Sequence, residues 1–344
     1  MRLIAIQCDA MKAAVLHGPR ALHIESARAP DLGAGDVLVR VAAAGLCGTD
    51  YSIFSGDRPV GYPRVMGHEF VGLIEAVGPG VSTPHVGDRV AIEPNYSCGV
   101  CALCREGNRN LCLSRTAIGI DVDGCFAELV RVPARCCWAA PAGVADEDLM
   151  VTEPLAVVVR AVARGQVRTG ETAAVVGAGT LGLLALQVLR ARGARVLVVS
   201  RTERRFALAR QLGADATHAV PIGRLEEVAR DFAGREGVDC VIETAGTAEA
   251  VTHALALVRP GGRVVLTGLP HEPTPVRFFT IVRREVTILG SMIYQDEFAE
   301  AMRLVAAGQV RTRPLITHRF ALDEIERAFA VHREPASIKV ALIP

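Results

Sequence analysis

The sequence predicts an α/β protein in which a mostly β part precedes a doubly wound parallel sheet. Three observations carry this reading. Up to about residue 140, short apolar strands are broken by glycine and proline, with weak helical periodicity. From about Glu153 onward, apolar strands alternate with amphipathic helices, the pattern of a parallel sheet covered on both faces. At the first strand–helix turn of that alternation stands Gly177-Ala178-Gly179-Thr180-Leu181-Gly182, a G-x-G-x-x-G run.

In the β part, strands are expected at 37–43 (VLVRVAA), 70–77 (FVGLIEAV), 89–92 and 126–132. A helix is expected over 154–164. The alternation then gives a strand at 173–177, a helix at 180–192, a strand at 195–200 and a helix at 203–212. A strand at 239–244, a helix at 248–258 and a strand at 263–268 complete it. Helices near 296–307 and 323–332 and a final strand at 338–343 (IKVALI) close the chain. The stretch 278–292 could supply an edge strand. There is no internal repeat.

Bulk properties narrow the class. The chain has 344 residues, enough for two domains, and half are hydrophobic, so a large core is available. Aromatics make up only 4%, so Val, Leu, Ala and Ile must fill that core. A net charge of +1 gives no reason to expect nucleic acid or a membrane surface. No run of 18 apolar residues exists, and the start lacks the features of a signal peptide. Residues 1–10 read as an extension or a misplaced start ahead of the strand-like run after Met11. Cys8, Cys47, Cys125, Cys136, Cys137 and Cys240 show no pairing logic, so a reduced, cytoplasmic setting is expected.

The glycine run points to a dinucleotide. Gly177 allows the tight turn, Gly179 lets backbone approach a pyrophosphate, and Gly182 lets helix pack on strand. Thr180 and Leu181 open the helix whose free N–H groups face the phosphates. The next strand would end in Asp or Glu for NAD; here it runs into Ser200, Arg201, Arg204 and Arg205. A small hydroxyl followed by guanidinium groups accepts a 2′-phosphate, so NADP is expected over NAD. The bland alternative is a solvated helix start. Basic residues there oppose the helix dipole, which favours a bound anion.

Two metal patterns are present. Cys98, Cys101, Cys104 and Cys112 form C-x2-C-x2-C-x7-C, a closed four-sulfur zinc site with no position for substrate. Cys47 in G-x-C-G-T-D, His68 and Glu69 in Gly67-His68-Glu69, and Glu153 in E-P-L offer one thiolate, one imidazole and two carboxylates. Three protein ligands with an open position make a catalytic zinc site.

Together with those motifs, G-H-E-x2-G-x5-G-x2-V from Gly67 to Val81 resembles the zinc-containing medium-chain alcohol dehydrogenase family, in its polyol, sorbitol and threonine dehydrogenase branch. The resemblance covers nearly the whole chain from Met11. It implies a GroES-like β-barrel catalytic domain over 1–157 and 293–344, with its structural zinc lobe at 95–115. It also implies a Rossmann domain over 158–292, a cleft between the two, and a homo-oligomer, tetramer or dimer. Two zinc ions per chain are implied, the catalytic one on Cys47, His68 and a carboxylate, with Glu69 and Glu153 as alternatives. Thr49 would receive the substrate proton. Thr244, Gly268, Leu269 and Ser291 would add cofactor contacts, and Ile53, Ile293 and Tyr294 would line the substrate pocket.

Two departures from the family pattern matter. Ser52 stands where many relatives place a proton-relaying histidine, and serine can pass a proton through water but cannot store one near pH 7. Ile293 precedes Tyr294 where sorbitol dehydrogenases tend to carry arginine. An apolar side chain leaves a ligand hydroxyl unpaired at a cost of about 1–3 kcal/mol, which disfavours sorbitol itself. The expected function is hydride transfer between NADP(H) and a secondary alcohol or ketone that is polyol-, sugar- or cyclitol-like. The competing readings are a zinc-free reductase of activated double bonds and a non-catalytic NADP-binding protein.

Overall fold

A computed structural model describes residues 10–220, 224–269 and 273–344. The extension reading of residues 1–10, apart from residue 10, lies outside the described residues, as do Cys8 and His271. The chain divides into two compact units, Met1–Glu153 with Ile316–Pro344, and Pro154–Leu315.

The first unit is built on a seven-stranded sheet with Asp36–Leu46 near its middle. That strand is buried along most of its length, with Val37, Val39 and Leu46 fully enclosed. It pairs antiparallel with Glu69–Val77 on one side and Lys339–Ile343 on the other. The register sets Gly45 opposite Glu69 and Val340 opposite Leu46, so one end of three adjacent strands gathers residues distant in sequence. A three-stranded sheet of Leu22–Ala27, Met11–Leu16 and Arg64–Val65 packs into the same core. Phe70, Phe126 and Phe329 are among its largest buried side chains, each stabilising by about 1.5–3 kcal/mol relative to exposure.

The second unit is a six-stranded parallel sheet in the order Ala216–Ala219, Arg195–Ser200, Thr172–Val176, Val238–Glu243, Val258–Leu266, Thr287–Gly290. Thr172–Val176 and Val238–Glu243 are buried throughout, as strands covered on both faces require. The strand order reverses between these two, which places the ligand crevice of a doubly wound sheet at their carboxyl ends.

Two expectations shift. The chain rejoins the first unit at Ile316, not at 293. Side-chain bonds hold 293–315 in the second unit: Arg160 donates to Gln295 and Glu297, and Gln187 bonds both the N–H and the carbonyl of Arg311. Within 278–292, only Thr287–Gly290 is strand, and Phe278–Arg284 is a helix. The run FFTIVRR fits either period, an ambiguity inherent to short apolar segments. Glu285 at φ 48 ends the helix.

Candidate metal centres and dinucleotide site

The four-cysteine lobe has the geometry its spacing predicts. Sγ–Sγ separations are 4.0 Å for Cys98–Cys104, 3.5 Å for Cys101–Cys104, 3.9 Å for Cys101–Cys112 and 3.5 Å for Cys98–Cys112. A tetrahedron with Zn–S bonds of about 2.3 Å has edges of about 3.8 Å, so the donors fit that ion. Backbone N–H groups of Val100 and Cys101 pull the Cys98 thiol down to about 6, toward the thiolate that a metal needs.

The second cluster forms at the shared strand ends of the first unit. Ligand atoms of Cys47, His68 and Glu69 lie within 4.8 Å of one another. Cys47 follows directly on strand Asp36–Leu46 and caps the helix Gly48–Ser55. His68 directly precedes the neighbouring strand, and Glu69 opens it. Gly45 is glycine because a Cβ there would strike the Glu69 carboxylate. Fully buried Asp50 serves both other ligands: Oδ2 accepts the Cys47 N–H at 2.9 Å, and Oδ1 lies 3.2 Å from His68 Nδ1. That contact assigns Nδ1 to Asp50 and frees Nε2 for a metal. Burial pulls the imidazole pKa down, but Asp50 and Cys47 outweigh it and leave it well above the ordinary value. Metal binding must therefore displace a proton.

The two carboxylates differ in surroundings. Glu69 receives Lys339 Nζ at 2.6 and 2.9 Å, and both residues are buried. Lys339 also donates to the Leu46 carbonyl. Burial lowers the Lys339 pKa, yet the Glu69 charge overrides it and holds it raised. Glu153 is 7% exposed, and burial pushes its carboxyl up to about 7, against the opposing pull of His68. A carboxyl in that state gains from a nearby cation. The donor set of thiolate, imidazole and buried carboxylate suits zinc.

Thr49 lies in the first turn of the helix that Cys47 caps. Ser52 Oγ, one turn on, donates to the Gly48 carbonyl at 3.2 Å, so its hydroxyl hydrogen is used within the helix. Ile53 is fully enclosed in the hydrophobic core. It packs and does not line a pocket, because it lies on the inward face of its helix.

In the second unit, the glycine run follows strand Thr172–Val176 and opens helix Thr180–Ala191 with Gly179 as its N-cap. Gly177 has φ 106, and a Cβ on Gly182 would collide with the Gly177 carbonyl. Both are the backbone demands of a dinucleotide turn. Ser200 ends strand Arg195–Ser200. Arg201 and Arg204 are exposed, whereas half-buried Arg205 donates to the Ala178 carbonyl at 3.1 Å inside the glycine loop. Arg205 thus braces that loop, a role the sequence did not suggest. Thr244 Oγ1 donates to the Val176 carbonyl, tying the neighbouring strand end to the turn. The Ser291 N–H donates to the Leu266 carbonyl, and Gly268 touches the backbone of Gly246. Leu269 is 63% exposed. Ile293 has φ 39, a strained conformation for a β-branched residue. Tyr294 is 2% exposed and packs on Phe298 with ring centroids 5.9 Å apart, as a core aromatic does. Asp50 and Lys339 were not singled out in the sequence: one reads as a first-turn acid, the other as one cation at the start of a strand.

Comparison with known proteins agrees with this geometry. Residues 33–142 match the alcohol dehydrogenase GroES-like domain, and residues 180–307 match the zinc-binding dehydrogenase domain. The chain is 35% identical to the sorbitol dehydrogenase of Bacillus subtilis (strain 168) over 97% of each chain. A solved structure from Sinorhizobium meliloti 1021, described as a zinc-binding dehydrogenase bound to NADP, has TM-score 0.92 and 35% identity. The match covers 97% of this chain and 99% of that one. An Escherichia coli CFT073 structure, described as a short chain alcohol dehydrogenase complexed with NADH, has TM-score 0.92 and 33% identity. That match covers 98% of this chain and 100% of the other. The chain belongs to the zinc-binding, GroES-like alcohol dehydrogenase family, in the branch that includes sorbitol dehydrogenase.

Proposed function

We propose that this chain is a two-zinc dehydrogenase that passes hydride between NADP(H) and a secondary alcohol or ketone of polyol, sugar or cyclitol character. The observation that carries the reading is the Cys47–His68–Glu69 cluster, with Cys47 half-buried, His68 and Glu69 buried, and Asp50 and Lys339 behind it. When bound there, zinc supplies Lewis-acid polarisation of the substrate oxygen, and the nicotinamide supplies the hydride site.

The chain's own residues do the rest. Cys47 and His68 hold the metal, oriented by Asp50. The third ligand is a carboxylate, either Glu69 of the cluster or Glu153. Glu69 is held back by Lys339, which neutralises its charge and so weakens its pull on a cation. Thr49 takes the substrate proton through its hydroxyl. Ser52 contributes at most through water, because its own hydrogen faces Gly48. Arg201 and Ser200 receive the 2′-phosphate that separates NADP from NAD.

The lobe at Cys98–Cys112 holds the second, structural zinc. A zinc-free reductase needs neither this lobe nor the Cys47 cluster. The chain acts as a homo-oligomer joined at the edge strand Thr287–Gly290. That edge follows in sequence a helix whose Phe278, Phe279 and Val282 are each over 70% exposed. The free cysteines suit a reducing cytoplasm. Among the described residues no helix is long and apolar enough to cross a membrane.

The test is an initial-rate panel of polyols, sugar phosphates, sugar acids and simple secondary alcohols, each with NADP and NAD. Turnover of at least one secondary alcohol, with NADP preferred, is the expected result. Turnover only with NAD would remove the Ser200–Arg201 argument. Light scattering should give a dimer or tetramer; a monomer would remove the edge-strand argument.

A further inference from the structure

We propose that Glu243 is a positioning residue for the dinucleotide, its buried carboxylate fixing the turns at the carboxyl ends of two central strands. Glu243 is fully buried and is the last residue of strand Val238–Glu243. It pairs with Val176 on one side and Leu266 on the other, so it stands where the strand order reverses. In a doubly wound sheet that point is the ligand crevice. Zinc binding makes no use of this residue, which belongs to the second unit.

Its contacts are directed at loops and not at the core. Oε1 accepts the N–H of Ala245 at 2.6 Å and of Gly246 at 2.8 Å. Oε2 lies under Gly268, 2.7 Å from where a Cβ would stand on that glycine. The Glu243 carbonyl accepts from the Thr267 N–H at 3.0 Å and from the Thr267 hydroxyl. A Cβ on Gly268 would also collide with Gly246, so the two turns touch backbone to backbone above the carboxylate. Thr244 links the same assembly to the glycine run, since a Cβ on Gly177 would come within 2.8 Å of Thr244 Oγ1. Glu243 therefore ties the 244–246 turn through its side chain and the 267–268 turn through its carbonyl, with Oε2 against Gly268, next to the turn at 177–182.

The chemistry supports a built device. A buried carboxylate is costly unless it is hydrogen-bonded. Burial raises its pKa, and backbone N–H groups of Gly246, Ala245 and Gly268 pull back against that. An apolar residue would fill the same volume at less cost if only packing were needed. What the carboxylate adds is an acceptor, Oε1, that fixes the N–H directions of Ala245 and Gly246, while Oε2 stands under Gly268 with no hydrogen-bond partner among the described residues.

The proposal rests on the dinucleotide reading of the glycine run. NADPH binding to the zinc-loaded enzyme is measured by its fluorescence for wild type, Glu243→Gln and Glu243→Asp. Hydrogen exchange is followed on each without cofactor. Gln replaces one acceptor oxygen by a donor facing Gly268, and Asp shortens the reach by one methylene. In both variants NADPH affinity should fall about tenfold, about 1.4 kcal/mol. The KM for NADP should rise while the KM for the alcohol stays within about twofold, and peptides covering 244–246 and 267–269 should exchange faster. A folded variant that binds NADPH within twofold of wild type overturns the proposal. So does loss of exchange protection across the whole second unit in both variants, which would make Glu243 a core residue only. Absence of NADPH and NADH binding to wild type would instead remove the underlying dinucleotide reading.

Discussion

Lys339 Nζ lies 2.6 Å from Glu69 Oε2, across 270 residues of sequence, and both side chains are buried. The pair exists because strands 36–46, 69–77 and 339–343 lie side by side and in register. It places a fixed cation behind the candidate catalytic metal centre, directly against the Glu69 carboxylate.

Removing the lysine should be costly. Lys339→Met leaves Glu69 charged and unpaired, and should destabilise the protein by about 3–5 kcal/mol in denaturant unfolding. The double variant Glu69→Gln with Lys339→Met should lose less than the sum of the two single changes. Strict additivity would show that the pair is not coupled.

The pH dependence of the zinc-free protein follows from Glu153. Its folded-state pKa of about 7 lies above the ordinary 4.5, so the fold favours the neutral acid. The resulting stability is fully present below about pH 4.5 and is lost as pH rises through about 7. At 1.36 kcal/mol per unit the loss is about 3 kcal/mol. Glu153→Gln should remove the slope below about pH 6.5, above which His68, whose pKa is also raised, adds a loss of its own. Thermal melts of chelated wild type and variant between pH 4.5 and 8 measure it, and parallel curves would refute the assignment.

Ser52 should prove dispensable. Its hydroxyl is committed to the Gly48 carbonyl, so Ser52→Ala should keep kcat within about twofold across pH, the scale of a lost neutral helix contact. A drop of a hundredfold or more, the scale of a lost acid–base group, would restore a relay role.

The arginines after Ser200 should separate by function. Arg201→Ala should lower kcat/KM for NADP about tenfold or more, with little change for NAD, because it removes a phosphate partner. Arg205→Ala should weaken both cofactors alike, because Arg205 holds the Ala178 carbonyl within the glycine turn. Initial rates with each cofactor distinguish the two patterns.

Much of this arrangement was legible in the sequence. The four cysteines needed only their spacing, and their sulfurs stand at tetrahedral separations. The glycine run needed only the strand before it and the helix after it. Cys47, His68 and Glu69 were visible as separate motifs that the fold then joins. What could not be read was register. Nothing in IKVALI marks Lys339 as the partner of Glu69, because that pairing depends on how two distant strands align. Ile53 looked like a pocket residue until the rotation of its helix turned it into the core. Phe278–Arg284 carries too few residues for its period to separate helix from strand. Glu243 was hidden for a similar reason: a lone acid at a strand end gains meaning only from the turns it touches.

The central claim is that Cys47, His68 and a carboxylate hold a catalytic zinc distinct from the one on the four-cysteine lobe. Metal analysis of the purified chain, paired with dehydrogenase assays, tests it most directly. Wild type should carry two zinc ions per chain. Cys47→Ser should retain one and lose activity, and Cys98→Ser should lose the other. A single zinc in wild type, or full activity in Cys47→Ser, would contradict it.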